Sequence, residues 1–139
     1  MRALSDIVCN QYPLVMKPTD TVRAACEAMR DRHVGSVLIV GADGNLAGIF
    51  TGRDAVWRVL AAGRSAARTA LAKVMTPSPV TMTAKQTAID ALRLMWDGGF
   101  RHLPVIDEGK IVGVVSRGDF KGEEALRLDD ERDLWEHMR

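Results

Sequence analysis

One stretch decides the fold of this chain: Gly48-Ile49-Phe50-Thr51-Gly52-Arg53-Asp54. Its pattern returns 65 residues later as Gly113-Val114-Val115-Ser116-Arg117-Gly118-Asp119. In both copies a glycine and two apolar residues lead to a hydroxyl residue, and an aspartate follows three residues after it. Further upstream, three positions recur 66 residues later: Thr21, Ala25 and Met29 as Thr87, Ala91 and Met95. Two copies of one small unit therefore make up most of the chain, and such a repeat sets its architecture.

The repeat predicts two halves that pack on each other, because neither copy is long enough to bury a good core alone. We assign residues 1–63 to the first copy, residues 64–122 to a linker with the second copy, and residues 123–139 to an acidic C-terminal helix. The predicted fold class is mixed α/β (α+β). Each copy is expected to run strand, helix, strand, strand, helix, and the two copies to form a pseudo-two-fold pair.

Hydrophobic patterns and turn residues predict the individual elements. In the first copy an apolar helical stripe follows the capping residues Thr19-Asp20-Thr21, and an Asp43-Gly44-Asn45 turn joins two β-branched runs, as is typical of a hairpin. The first copy is expected to contain an extended segment at 13–16, a helix over 22–29, strands at 36–40 and 46–50, and a helix at about 53–62. The second is expected to contain an extended segment at 80–82, a helix at 87–96, strands at 102–106 and 111–115, and a last helix at 123–138. The connecting segments are expected to hold short lead-in helices at about 3–8 and 69–75, followed by an extended end at Pro77 and Pro79.

Composition indicates an ordinary globular protein. The net charge is +1, with 19 basic and 18 acidic residues, so no strong field would steer nucleic acid or an anionic membrane to the chain. The apolar run at 37–40 is far too short to span a bilayer, and no signal peptide is visible. We therefore expect a cytoplasmic protein that binds neither nucleic acid nor a membrane.

Cysteine, histidine and nucleophile patterns indicate no metal or catalytic site. Cys9 and Cys26 lack CxxC spacing, so we interpret Cys26 as a small apolar residue on a helix and Cys9 as a loop thiol, with a disulfide as the alternative. The three histidines are scattered, without metal-ligand spacing. No nucleophile–base pair and no GxxxxGK[ST] phosphate loop can be recognised. We predict that the chain is not an enzyme.

The repeated motif has two interpretations. A hydroxyl followed three residues later by an acid is nearly the capping-box pattern, which stabilises a helix start. The surroundings also suit a nucleotide, because Gly52-Arg53 and Arg117-Gly118 lie between hydroxyl and acid. The glycine lets a ligand approach the backbone, the arginine adds a forked cation for phosphate, and the carboxylate can accept two ribose hydroxyls.

The repeat resembles a pair of cystathionine-β-synthase (CBS) domains, the tandem known as a Bateman module. Besides the two quoted segments, the matching stretches are Val74-Met75-Thr76-Pro77 and Gly99-Phe100-Arg101-His102-Leu103-Pro104-Val105-Ile106-Asp107. The resemblance covers nearly everything from Leu4 to Lys121. It implies that an adenine nucleotide (AMP, ADP or ATP), NAD(H) or S-adenosylmethionine binds as a regulatory ligand in clefts between the copies, with no cofactor required.

The resemblance also implies roles for individual residues. Asp54 and Asp119 would contact ribose hydroxyls, and Thr51 and Ser116 would contact ribose or phosphate. The resemblance implies that Arg101 and His102 face phosphate, and the residue pattern described above adds Arg53 and Arg117 as phosphate contacts. Apolar and backbone groups are expected to hold the base: Val15 or Met16, Val34, Ser36, Val80 or Met82, Phe100 and Pro104.

The two copies differ where phosphate would bind. The second copy has Arg101-His102 and Pro104, whereas the first has Gly35-Ser36 and Leu38 at the matching positions. A charged phosphate should therefore suit the second copy better. The alternatives are that Arg101 is a solvated surface residue and that His102 is a packed, hydrogen-bonded histidine.

The predicted function is regulatory. A nucleotide would shift the relative packing of the two copies, and an effector protein in trans would detect the shift. A homodimer is expected, and the C-terminal helix either packs on its own module or docks on another subunit through Leu128 and Trp135. The alternative function is a protein-interaction or structural module with vestigial, unoccupied clefts.

Overall fold

The computed structural model describes residues 2–120. The predicted acidic helix, with Leu128 and Trp135, lies outside these residues. The described residues form two compact units. We name residues 13–79 the first unit, and residues 2–12 together with 80–120 the second unit. The copy boundary at residues 63 and 64 stays a prediction, because the units follow contacts whereas the copies follow sequence similarity.

Both copies run strand, helix, strand, strand as the repeat predicts, and the fold class is mixed α/β. The helices are α1 (Leu4–Val8), α2 (Val22–Arg32), α3 (Gly52–Asp54) and α4 (Ala88–Gly98). The strands are β1 (Val15–Met16), β2 (Ser36–Val40), β3 (Leu46–Thr51), β4 (Thr76–Pro77), β5 (Met82–Thr83), β6 (His102–Asp107) and β7 (Lys110–Ser116). A π-helical segment, Ala55–Leu60, continues α3, and 3₁₀ turns cover Leu71–Lys73 and Arg117–Asp119.

The first unit is built on a four-stranded sheet in the order β1-β2-β3-β4. β1 runs parallel to β2, with Val15 opposite Leu38, and α2 forms the crossover between them. β2 and β3 form the predicted hairpin, with Ser36 opposite Thr51. A buried apolar cluster joins the sheet to α2, the π-helical segment and the turn at Leu71–Lys73: Val22, Ala25, Met29, Val37, Ile39, Phe50, Val59, Leu71 and Val74.

The second unit repeats this plan on a three-stranded sheet in the order β5-β6-β7. Met82 on β5 lies opposite Val105 in parallel register, and His102 on β6 lies opposite Ser116 on β7 in antiparallel register. The strand pairings thus place the entrance of β6 beside the end of β7, just as β2 lies beside β3. Its core joins the sheet to α1 and α4: Leu4, Val8, Met82, Ala84, Ala91, Met95, Leu103, Val105 and Val115.

Two predicted helices differ from expectation. The helix predicted at 53–62 becomes π-helical after its first turn. Its hydrogen bonds span five residues, as in the bond from Ala61 N–H to the carbonyl of Val56 at 2.9 Å. The helix predicted at 69–75 shrinks to one 3₁₀ turn. There, Ala70 is extended and bridges Thr21, so the backbone before Leu71 is used for pairing instead of a helical turn.

Each unit contains the lead-in segment that precedes the other repeat. In the second unit, Leu4 N–H at the start of α1 donates to Gln86 O at 2.8 Å. In the first unit, Leu71 N–H donates to Asp20 O at 2.8 Å, and Val22 N–H to Thr69 O at 2.9 Å. From Leu4 onward, the chain therefore passes from the second unit into the first and back into the second.

Both cysteines carry free thiols, as the sequence analysis expected. Cys9 is exposed and follows α1, while Cys26 lies on α2 and packs against the core of the first unit. Burial raises the pKa of the Cys26 thiol.

The repeated glycines Gly48 and Gly113 lie where these lead-in segments make their closest approach to the sheets. A Cβ atom on Gly113 would lie 2.6 Å from Val8 Cβ and 2.7 Å from Gln11 Oε1. A Cβ atom on Gly48 would collide with the Met75 side chain and lie 2.9 Å from the Thr76 carbonyl. The glycine of the repeated motif is therefore a packing requirement of the fold.

We expect Gly113→Ala to lower the free energy of unfolding by about 1–3 kcal/mol, because the added methyl group overpacks the contact with Val8. Gly118→Ala in the same unit is the matched control, since its Cβ would meet only Ser116 Oγ at 3.9 Å. Urea denaturation of both variants measures the difference. Equal stability of the two variants would show that the close approach at Gly113 does not constrain the fold.

Candidate functional site

The end of β3 in the first unit forms a complete capping box. Asp54 Oδ2 accepts a hydrogen bond from Thr51 N–H at 3.0 Å and lies 3.2 Å from Thr51 Oγ1, which donates to it. Thr51 Oγ1 in turn accepts from Asp54 N–H at 3.3 Å. These bonds satisfy two backbone donors at the start of α3. The capping interpretation of the motif is therefore confirmed in this unit.

The end of β7 in the second unit repeats the same geometry. Asp119 Oδ2 accepts from Ser116 N–H at 2.7 Å and from Ser116 Oγ at 3.3 Å, and Ser116 is the N-cap of the turn at Arg117–Asp119. In each unit one carboxylate oxygen, Oδ2, makes these bonds. The role of these aspartates on a ribose stays a prediction.

In each unit this junction is tied to the segment that opens the preceding strand. Gly52 N–H donates to Gly35 O at 3.2 Å in the first unit, and Arg117 N–H donates to Arg101 O at 3.3 Å in the second. These bonds bring Val34 and Ser36 next to the Thr51–Asp54 junction. They likewise bring the predicted phosphate and base residues of the second unit next to Ser116 and Asp119: Phe100, Arg101, His102 and Pro104.

The residues expected to contact the base differ in exposure. Val15, Val34 and Val80 are between 39% and 49% exposed, so they present apolar surface. Met82 is only 3% exposed and packs in the core of the second unit, and Met16 packs against the core of the first. Of the alternatives Val15 or Met16 and Val80 or Met82, the two valines are therefore the ones whose side chains are accessible to a ligand. Ser36 and Pro104 are buried, so we expect them to contact the base of a nucleotide through backbone atoms.

Both arginines of the motif stack on a tryptophan. The guanidinium of Arg53 lies 4.3 Å from the ring centroid of Trp57, and that of Arg117 lies 4.3 Å from the ring centroid of Trp96. The two tryptophans are not equivalent in the repeat, since Trp57 follows its arginine by four residues and Trp96 lies on α4. A guanidinium that stacks through its face still has its N–H groups at its edge, where they can donate to an anion.

Sequence reasoning missed Arg58, which contacts the site of the first unit. Its Nε lies 3.4 Å from Asp54 Oδ1, while Nη1 lies 3.1 Å from the carbonyl oxygen of Met75 and 3.4 Å from that of Val74. The separation of four residues between an acid and a following arginine is a recognised helical ion-pair spacing and could have indicated the contact. The carbonyl contacts join positions far apart in sequence and carry no such signal.

The described part of the chain offers no cluster of three metal-ligating side chains. Within residues 2–120, no helix has the length and apolar character needed to cross a membrane.

A family model for the CBS domain matches residues 4–60 and 71–125, one match for each copy of the repeat. The chain belongs to the CBS-domain family. The two matches cover both capping boxes and both hairpins, so the repeated strand-to-helix junction is a feature of the CBS domain in this chain. The predicted resemblance is confirmed.

Relatives and solved structures agree with this assignment. The CBS domain-containing protein CBSCBSPB3 of Arabidopsis thaliana is 41% identical over 107 residues, which are 76% of this chain and 19% of that protein. The mitochondrial CBS domain-containing protein CBSX3 of the same plant is 36% identical over 104 residues, 72% of this chain and 50% of that protein. The chain thus spans half or less of the length of these two curated relatives.

Two solved structures with CBS domains share the fold. A protein from Burkholderia ambifaria MC40-6, described as a proposed signal-transduction protein, has a TM-score of 0.77 and 30% identity, and the match covers 84% of this chain and 89% of that one. The CBS domain protein PAE2072 from Pyrobaculum aerophilum, solved with AMP, has a TM-score of 0.80 and 21% identity, with 92% and 98% covered. The second likeness shows the fold alone.

We expect Asp119→Ala to lower the free energy of unfolding by about 1 kcal/mol, because it removes the carboxylate bonds of a capping box. Asp90→Ala is a matched control, since Asp90 forms the same box with Thr87 at the start of α4, with Thr87 N–H to Asp90 Oδ2 at 3.1 Å. Thermal denaturation should show similar losses for both variants. A loss confined to Asp90→Ala would mean that the Asp119 box does not stabilise the second unit.

Proposed function

We propose that this CBS-domain chain is a regulatory module that binds an adenine nucleotide at the strand-to-helix junctions of its units. The ligand would be AMP, ADP, ATP or NAD(H), and it would act as a signal that is not consumed. The single observation that supports this proposal best is the repeated junction, in which a fixed carboxylate lies next to an arginine stacked on tryptophan. The likeness to a CBS protein solved with AMP favours the same ligand class.

In the proposed complex, the carboxylate of Asp119 binds the sugar. A carboxylate has about four acceptor positions on two oxygens, and the capping box uses Oδ2. Oδ1 would accept ribose hydroxyls while the box stays intact. The cap fixes the direction of the carboxylate before the ligand arrives, which lowers the ordering cost of binding.

The other parts of the nucleotide would contact the neighbouring segments of the same unit. The guanidinium of Arg117, stacked on Trp96, would donate to phosphate oxygens through its planar fork. Arg101 is exposed at the entrance of β6 and would add positive charge. The exposed apolar side chain of Val80 would contact the base.

Signalling would follow from a difference in affinity. A nucleotide can favour one arrangement of a protein only if it binds that arrangement more tightly than the others. A homodimer, a cytoplasmic location and an effector protein in trans belong to this proposal, as does the absence of a catalytic step.

A protein-interaction module is the second candidate function, and two observations favour it. Both aspartates already have a structural role in capping boxes. Three large apolar side chains, Val56, Trp57 and Leu60, are between 51% and 72% exposed on the π-helical segment. Such exposed apolar surface is typical of contact with another protein.

Calorimetric titration with AMP separates the two candidates. We expect the wild type and Asp90→Ala to bind AMP alike, and Asp119→Ala to bind about tenfold to 150-fold more weakly, because charge-assisted hydrogen bonds contribute about 1.5–3 kcal/mol. The two variants lose the same kind of cap, so a difference between them isolates the ligand contact.

Failure of the wild type to bind AMP, ATP and NADH would refute nucleotide binding and support the interaction module. Equal affinities for Asp119→Ala and the wild type would refute the assigned ribose contact. A thermal shift gives an independent readout, since a ligand at 100 times its dissociation constant adds about 2.7 kcal/mol to the free energy of unfolding.

A further inference from the structure

The two aspartates differ in what contacts their second carboxylate oxygen. In the first unit, Asp54 Oδ1 lies 3.4 Å from Arg58 Nε, and the side chain of Asp54 is only 13% exposed. Its other oxygen, Oδ2, belongs to the capping box. Both oxygens of Asp54 therefore have protein partners before any ligand arrives.

Arg58 is also held from its opposite side. Its Nη1 donates to the carbonyl of Met75 at 3.1 Å and lies 3.4 Å from the carbonyl oxygen of Val74. The two carbonyls immediately precede β4, which pairs with β3 at Gly48. A ribose hydroxyl approaching Asp54 Oδ1 must displace a guanidinium that is anchored at three acceptors.

The second unit lacks this arrangement. Within residues 2–120, no ion pair joins a cation to the carboxylate of Asp119, although Arg2 Nη2 donates to the backbone carbonyl of Asp119 at 3.0 Å. Position 123, four residues after Asp119, is a glutamate where the first copy has Arg58. A glutamate cannot form the equivalent ion pair. The sequence itself therefore removes the counterpart of Arg58 from the second copy.

An unsatisfied donor lies at the same junction of the second unit. Arg117 Nε is buried and has no hydrogen-bond partner among the described residues. A buried N–H without an acceptor is costly, and in native structures nearly all such groups pair with protein or ordered water, so an exception needs an explanation such as an ion or ligand. In the second unit, the Asp119 carboxylate thus has no cationic partner, and Arg117 Nε has no acceptor among the described residues.

We propose that Arg58 closes the first unit to the sugar of a nucleotide, so that the chain binds one equivalent of AMP tightly, in the second unit. This inference rests on the proposed function. Arg58 acts through Asp54 and thereby determines how many nucleotides the chain binds. It makes a duplicated fold behave as a single high-affinity receptor.

Removal of the Arg58 charge should open the first unit. Calorimetric titration of the full chain with AMP is expected to show one strong binding event for the wild type and a second event, tightened about tenfold or more, for Arg58→Met. Methionine retains an apolar stem but cannot pair with Asp54. Arg64→Met removes an arginine outside both junctions and should leave the titration of the wild type unchanged.

A second set of variants assigns the new event to Asp54. Asp119→Ala should leave little AMP binding, Arg58→Met in that background should restore one equivalent, and Asp54→Ala in addition should remove it again. Arg58→Gln replaces Arg58→Met if circular dichroism shows that the methionine variant is unfolded.

The outcomes distinguish this inference from the proposed function. Two equal equivalents in the wild type, or no gain in Arg58→Met and Arg58→Gln, would overturn the role of Arg58 while AMP binding itself stands. Weaker binding in both Arg58 variants would show that Arg58 helps to hold the ligand, which also overturns the inference. No binding of AMP by the wild type or any variant would refute the proposed function together with it.

Discussion

The hydrogen bonds between a strand-terminal hydroxyl residue and the aspartate three residues later are the constraint on which both units depend. They lie where β3 and β7 end and satisfy the backbone N–H groups of Thr51 and Ser116, and in the first unit the reciprocal bond satisfies the N–H of Asp54 as well. The same bonds fix the direction of Asp54 and Asp119. Because capping uses one oxygen of each carboxylate, the structural role and the proposed binding role are compatible in one residue.

The two copies of this junction differ in their contacts. The units share the capping box, the hairpin and an arginine stacked on tryptophan, yet the tryptophans come from different positions and only Asp54 has the ion pair with Arg58. The close approaches at Gly48 and Gly113 show where each sheet accepts the lead-in segment that precedes the other repeat. The shared elements account for the fold, and the unshared contacts account for the expected difference in binding.

Most of this fold could be predicted from the sequence, because its strands and helix starts are encoded by residues that are neighbours in the chain. The strands at 36–40 and 102–106 follow from β-branched runs, and the cap at Thr21 follows from its hydroxyl; the structure confirms them. Thr87, predicted as the first residue of a helix, is the N-cap of α4. The π-helical bonds after Asp54 escaped prediction, since Val56, Val59 and Leu60 suit a regular helix equally well. Contacts between distant positions, such as Arg58 with the carbonyl of Met75 or Arg117 with Trp96, leave no periodic pattern in the sequence.

The central claim is that the Asp119 carboxylate recognises ribose hydroxyls while it caps its own helical turn. Its most direct test is a calorimetric cycle in which the wild type and Asp119→Ala are each titrated with AMP and with 2′,3′-dideoxy-AMP. Loss of both hydroxyls should weaken binding to the wild type by about tenfold or more and should scarcely affect binding to the variant, because the two changes remove the same contact. An equal loss of affinity in both proteins would contradict the account.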